Sequence, residues 1–84
     1  MLYHIKMLVF LKEGVLDTQG KAVLGSLHRM NYTDLKDIRI GKYLQLWVEA
    51  PDEDTARNRV KAMCSDLLVN DLIEDYTIEV DELS

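Results

Sequence analysis

The chain has one cysteine and two histidines available for nucleophilic or metal chemistry. Cys64 falls on an apolar stripe, where a thiol is ordinarily a small core group with a raised pKa. His4 lies in an alternating apolar segment, and His28 lies on a helical segment away from Val23, Leu27 and Met30. No Cys–His motif ties either imidazole to Cys64. A single cysteine closes no intrachain disulfide and builds no cysteine zinc site, which fits a reducing compartment.

The carboxylates are more numerous but poorly spaced for chemistry. Asp52-Glu53-Asp54 lacks the spacing of a calcium loop, and helix capping accounts for it better. Glu74-Asp75 brings no histidine or third spaced ligand, and neighbours on a strand face opposite ways. Neither GxGxxG nor GxxxxGK[ST] occurs, so no phosphate cradle is indicated. Tyr3, Phe10, Tyr43, Trp47 and Tyr76 invite comparison with RNA-binding sheets, but the RNP patterns and a basic patch are both missing. Trp47 and Phe10 are expected to pack within the subunit or at a protein interface.

Ten Lys and Arg against 15 Asp and Glu give the 84 residues a formal net charge of −5. That argues against a nucleic-acid partner. Residues 66–84 hold seven carboxylates and neither Lys nor Arg. They form either a solvated face or a recognition surface for a basic partner. Such a length implies one domain, with roughly 5,000 Å² exposed when folded. No apolar run approaches the ~18 residues of a membrane span, and Met1-Leu2-Tyr3-His4 carries no signal-like features. The expectation is a cytoplasmic protein with no membrane partner.

The elements follow from periodicity. Tyr3, Ile5, Met7, Val9 and Leu11 alternate with more polar neighbours and predict a first strand. Asp17 or Thr18 can cap a helix whose stripe is Val23, Leu24, Leu27 and Met30, with Asn31 ending it in a left-handed conformation. Ile38 and Ile40 predict a short strand, Gly41-Lys42 a turn, and Tyr43 to Glu49 a further strand. Pro51 stops it, Asp52 caps a second helix with Ala56, Val60, Met63, Cys64 and Leu67 buried, and Asn70-Asp71 marks the exit. Tyr76, Ile78 and Val80 predict a last strand. The order predicts an α+β, ferredoxin-like β-α-β-β-α-β sandwich, two helices on one face of a four-stranded antiparallel sheet. The other face would expose Leu8, Phe10, Leu44, Leu46 or Trp47, so self-association is expected.

Three stretches carry a family resemblance across nearly all the chain. They are Leu11-Lys12-Glu13-Gly14-Val15-Leu16-Asp17-Thr18-Gln19-Gly20-Lys21-Ala22-Val23, Ile38-Arg39-Ile40-Gly41-Lys42-Tyr43, and Met63 to Asn70 continuing through Ile73-Glu74-Asp75-Tyr76. In order, spacing and length they resemble PurS, the small subunit of phosphoribosylformylglycinamidine synthase. Thr18 and Asp71 stand where that family commonly has proline, and Val69 where it has alanine; Thr18 still caps and Asp71 still turns. The resemblance implies a single PurS-like domain over residues 1–84. It implies a subunit with no catalytic residues of its own, required by an ATP-dependent amidoligase complex. A PurQ glutaminase and a PurL synthetase would do the chemistry, with ATP and magnesium on PurL and no cofactor or metal on this chain. The subunit would form a homodimer or higher oligomer, bridge PurL and PurQ, and assist ammonia transfer.

The expected interface residues are Asp17, Gln19 and Gly20 at the first helix entry, Arg39, Gly41 and Lys42 at the hairpin, and Asn70, Glu74, Asp75 and Tyr76 before the last strand. The plainer reading gives these residues to caps, turns and sheet order alone. A small-molecule sensor or adaptor unrelated to the synthase is the rival function.

Overall fold

The computed structural model describes residues 1–83. Strand β1 (Leu2–Leu11) leads to helix α1 (Thr18–Arg29), then β2 (Lys42–Glu49), α2 (Glu53–Met63) and β3 (Glu74–Glu82). Among the described residues the sheet has three strands in the order β2-β1-β3, both pairs antiparallel. Register aligns the apolar positions: Ile5 faces Leu46 and Val80, and Met7 faces Leu44 and Ile78. Alternation therefore puts Tyr3, Ile5, Met7 and Val9 on one buried face.

Helix α2 covers that face. Asp52 caps it, its carboxylate accepting the Thr55 amide at 2.7 Å. Ala56, Val60 and Cys64, four apart, make the buried stripe. Leu67 was expected to extend the stripe and instead is 85% exposed. Residues Cys64–Leu68 are wound as a π-helix, closed by the Val69 amide donating to the Cys64 carbonyl at 3.0 Å. The wider turn rotates Leu67 outward and brings Val69 into the core in its place.

Two further expectations are corrected. Ile38 and Ile40 form no strand. Their amides bond to carboxylates instead, Ile38 to Asp37 at 2.8 Å and Ile40 to Asp17 at 3.0 Å. The four-stranded count is therefore three. β1 and β2 are adjacent and antiparallel, so residues 12–41 make an excursion from one end of the sheet rather than a parallel crossover.

Within that excursion α1 stands off the sheet. The core contains no α1 residue, and Val23, Leu24 and Leu27 stay only half-buried. Asn31, at φ 74°, turns the chain as expected, and residues 31–41 return along the helix. The His28 ring donates to the Leu35 carbonyl at 2.7 Å and ties the two together. The result is a projecting arm. The radius of gyration is 16.6 Å, against about 12 Å for a compact chain of this length. The accessible surface is 6021 Å², about 1,000 Å² above that of a compact chain.

Asp17 anchors the arm. One carboxylate oxygen accepts the Gly20 amide at 2.7 Å and caps α1; the other accepts the Ile40 amide on the returning segment. The Gly20 amide, then the Ile40 amide, hold the Asp17 carboxyl below its usual range, and Arg39 adds to them. A depressed pKa stabilises the fold above the ordinary aspartate value, and the effect is lost as pH falls through the folded value.

The core and the arm make separate predictions. Met7→Ala should cost roughly 2–5 kcal/mol in chemical denaturation, while Leu67→Ala stays within about 0.5 kcal/mol; equal losses would contradict the π-helical register. Asp17→Ala should strip hydrogen-exchange protection from the Gly20 and Ile40 amides and leave α2 protected. The parent should lose the same protection only at pH below the usual aspartate range.

Candidate functional site

The expected interface residues come from three separated segments, and the fold gathers half of them. Asp17, Gln19, Gly41, Lys42 and Glu74 line one cleft of about 380 Å³ where the arm leaves the sheet. Its apolar walls include Val9, Phe10, Leu11, Val15, Leu16, Ile40 and Ile73. They meet because β1 ends, β2 begins and β3 begins at the same end of an antiparallel sheet.

Backbone proximity fixes the cleft. A Cβ on Gly20 would lie 2.7 Å from the Ile38 carbonyl oxygen and 2.5 Å from the Asp17 carboxylate. A Cβ on Gly41 would lie 2.5 Å from the Val9 carbonyl oxygen. Both positions therefore admit only glycine without a backbone shift. Gly20 is buried beneath Asp17 rather than presented to a partner.

Most of the polar groups already have partners. Lys42 Nζ sits 3.7 Å from Glu74, whose other oxygen accepts the Asn70 amide at 2.8 Å. The Asn70 side chain in turn accepts the Leu72 amide at 3.1 Å. Lys12 donates its amide to the Ile73 carbonyl at 2.9 Å and pins this turn to the end of β1. Arg39 lines an adjoining hollow with Asp17. Its guanidinium donates to the Leu11 carbonyl and lies 6.0 Å from the centre of the Phe10 ring. The remaining two stand apart: Asp75 accepts the Tyr76 amide at 2.9 Å on the opposite sheet face. Tyr76 packs against the core cluster that contains Cys64. Caps, turns and sheet ends thus occupy most of the ten residues, while Gln19 and Lys42 remain well exposed on the cleft.

Cys64 is buried, and burial pushes its thiol pKa up, away from nucleophilic use. His28 bonds the arm together. Among the described residues no cluster of three His, Cys, Asp or Glu side chains is arranged to hold a metal ion. The cleft is stiff, apolar-walled and edged with paired charges, which suits recognition of another surface.

One feature lay beyond sequence reasoning. His4 stacks flat on Trp47, with centroids 4.7 Å apart and planes 5° from parallel. His4 Nε2 lies 2.8 Å from Gln45 Oε1. The two rings are 43 positions apart and become opposite only through the β1–β2 register. Leu16 and Leu72, both exposed at the cleft end of the molecule, were likewise not singled out.

A family model described as PurS, phosphoribosylformylglycinamidine (FGAM) synthase, matches residues 4–82. The phosphoribosylformylglycinamidine synthase subunit PurS of Bacillus subtilis is 50% identical over 82 residues, spanning 98% of this chain and 96% of that protein. A crystal structure of B. subtilis PurS superposes with TM-score 0.86 at 51% identity, covering 95% of this chain and 99% of the other. The projecting arm is therefore part of the likeness. A chain in the structure of PurLQS from Thermotoga maritima superposes with TM-score 0.87 at 30% identity, covering 95% of this chain and 98% of that one. This chain belongs to the PurS family of phosphoribosylformylglycinamidine synthase.

Proposed function

We propose that this chain is a non-catalytic assembly subunit of phosphoribosylformylglycinamidine synthase. It bridges the PurQ glutaminase and the PurL synthetase and assists ammonia transfer between them. The complex then converts formylglycinamide ribonucleotide to formylglycinamidine ribonucleotide with ATP and glutamine, the fourth step of de novo inosine monophosphate synthesis, in the cytoplasm. The observation that carries this reading is the likeness, over 95% of the chain, to a component of PurLQS. The buried thiol and the partnered polar groups of the cleft support leaving the chemistry to the other subunits. Ammonia transfer needs closed, matched surfaces that exclude bulk water, and a rigid joint suits that task.

Residues 1–84 act as one domain, working as a homodimer. Roughly 1,000 Å² of surplus surface per chain compares with the ~800 Å² per partner of an ordinary stable interface. Leu44, Leu46 and Val48 of β2 stay half-buried on the inner face, beside α2. Helix α1 carries an apolar stripe with no sheet of its own to cover. In the dimer, α1 of one copy lies over β2 of the other. Two helices then cover each sheet, and the ferredoxin-like layering is completed between chains. Gln19 and Lys42 meet a partner subunit at the cleft, while Asp17, Gly20, Arg39, Gly41, Asn70, Glu74, Asp75 and Tyr76 shape and hold that region.

Purified PurQ and PurL from the same organism should form formylglycinamidine ribonucleotide from glutamine only when this chain is added. Full activity without it, unchanged on addition, would remove the assembly role and favour a sensor or adaptor. Sedimentation at micromolar concentration should give twice the chain mass. Leu27→Glu should shift the chain to monomer with the circular dichroism of the sheet retained, because no α1 residue enters the core. A parent that sediments as a monomer would sink the dimer.

A further inference from the structure

The sheet face opposite α2 holds a second surface. Alternation places Leu8, Phe10, Tyr43 and Trp47 there, and register puts Leu8 beside Tyr43 and His4 beside Trp47. Trp47 is 58% exposed, with Tyr43 at 56% and Leu8 at 52%. Exposed aromatics ordinarily lose side-chain freedom when a partner docks. Here the His4 ring, itself held by Gln45, already fixes the Trp47 plane. Large, rigid, exposed aromatic groups are the residues that dominate protein interfaces.

The charges beside this patch identify its occupant. Asp75, Glu79 and Asp81 project from β3 on the same face, and Glu49 ends β2. Within that group the one lysine is Lys6, 3.0 Å from Asp81 and also within the field of Glu79. A second copy laid face to face brings the same carboxylates, and against them only Lys6, already paired with Asp81, and Arg39, which lies beside Phe10 at the other end of the face and is held by the Leu11 carbonyl. An anionic lipid surface is disfavoured for the same reason.

We propose that this outer face docks a protein surface with an apolar centre and a flanking row of Lys or Arg, carried by another subunit of the synthase. The proposal rests on the assembly-subunit reading and specifies which face does the docking and with what chemistry. Trp47 and Tyr43 enter the apolar centre of the partner. Glu79 and its neighbours on β3 meet the basic row.

Binding of the full-length chain to purified PurL and to purified PurQ tests it, by titration calorimetry at low and high salt. Trp47→Ala should weaken binding to one of them by at least about 30-fold. Tyr43→Ala should weaken the same interaction, and guards against a fold defect in the first variant. Glu79→Lys should weaken it further at low salt and flatten its salt dependence. Asn58→Ala, on the exposed side of α2, should bind as the parent does. A parent that binds neither protein removes the assembly reading itself. A parent that binds while the three face variants bind equally well overturns the face and leaves that reading standing. Weaker binding by the aromatic variants with Glu79→Lys unchanged overturns the basic row. Conversion of the dimer to monomer by Trp47→Ala assigns the face to a second copy and overturns the proposal.

Discussion

The structure depends on β1 being paired on both sides by antiparallel strands. Its inner residues, Tyr3, Ile5, Met7 and Val9, are the centre of the core, and both flanking strands and α2 take their positions from it. Antiparallel pairing with β2 has a geometric consequence. The chain leaves β1 at Leu11 and must re-enter β2 at Lys42 at the same end of the sheet. Thirty residues therefore leave and return through one narrow site, and the helix they contain stands off the sheet, whose inner face α2 covers only in part. The base of the arm, where the Asp17 carboxylate takes the Ile40 amide, follows from that return to the same end.

Much of this was legible locally. Alternation located β1, β2 and β3, and the acceptor side chains of Asp17 and Asp52 located both helix starts. The failures are non-local. Ile38 and Ile40 have the composition of a strand, but a strand needs a neighbour, and the Asp17 carboxylate takes the Ile40 amide first. Leu67 obeys the α-helical period, and the period itself changes at Cys64. The stripe on α1 is present as read, but it covers none of the sheet of its own chain. A stripe carries no information on whether a surface for it belongs to the same chain.

The candidate site divides along the same line. Asp17, Gly41 and Glu74 are far apart in sequence and meet because three strand ends coincide. Reading them as one region required only that the strands be adjacent. Reading their roles required partners: Gly41 lies against the Val9 carbonyl, Glu74 bridges Lys42 and Asn70, and Arg39 holds the end of β1. Such residues tolerate little substitution whether or not a partner touches them, because each closes a backbone approach or satisfies an amide. The outer face has the opposite character. Trp47, Tyr43 and Leu8 are dispensable to the core, and their exposure has no explanation within one chain.

The two sheet edges show how one small domain can serve several contacts at once. β3 is lined by Glu74, Asp75, Glu79, Asp81 and Glu82, and charge along an edge opposes strand addition. β2 has charged side chains only at its ends, Lys42 and Glu49, and its middle is Tyr43-Leu44-Gln45-Leu46-Trp47-Val48. The open edge and the half-buried inner leucines lie on the same strand, so the β2 side is where a second copy gains most. The carboxylates of β3 repel that same copy while leaving the outer face free for a basic partner. Like charges thus separate the surfaces. The β2 edge is uncharged along its middle, the outer face is acidic along β3, and the cleft at the base of the arm lies where the strands end. A subunit that must hold two different proteins together needs surfaces that do not compete, and the uneven charge of this chain provides that separation.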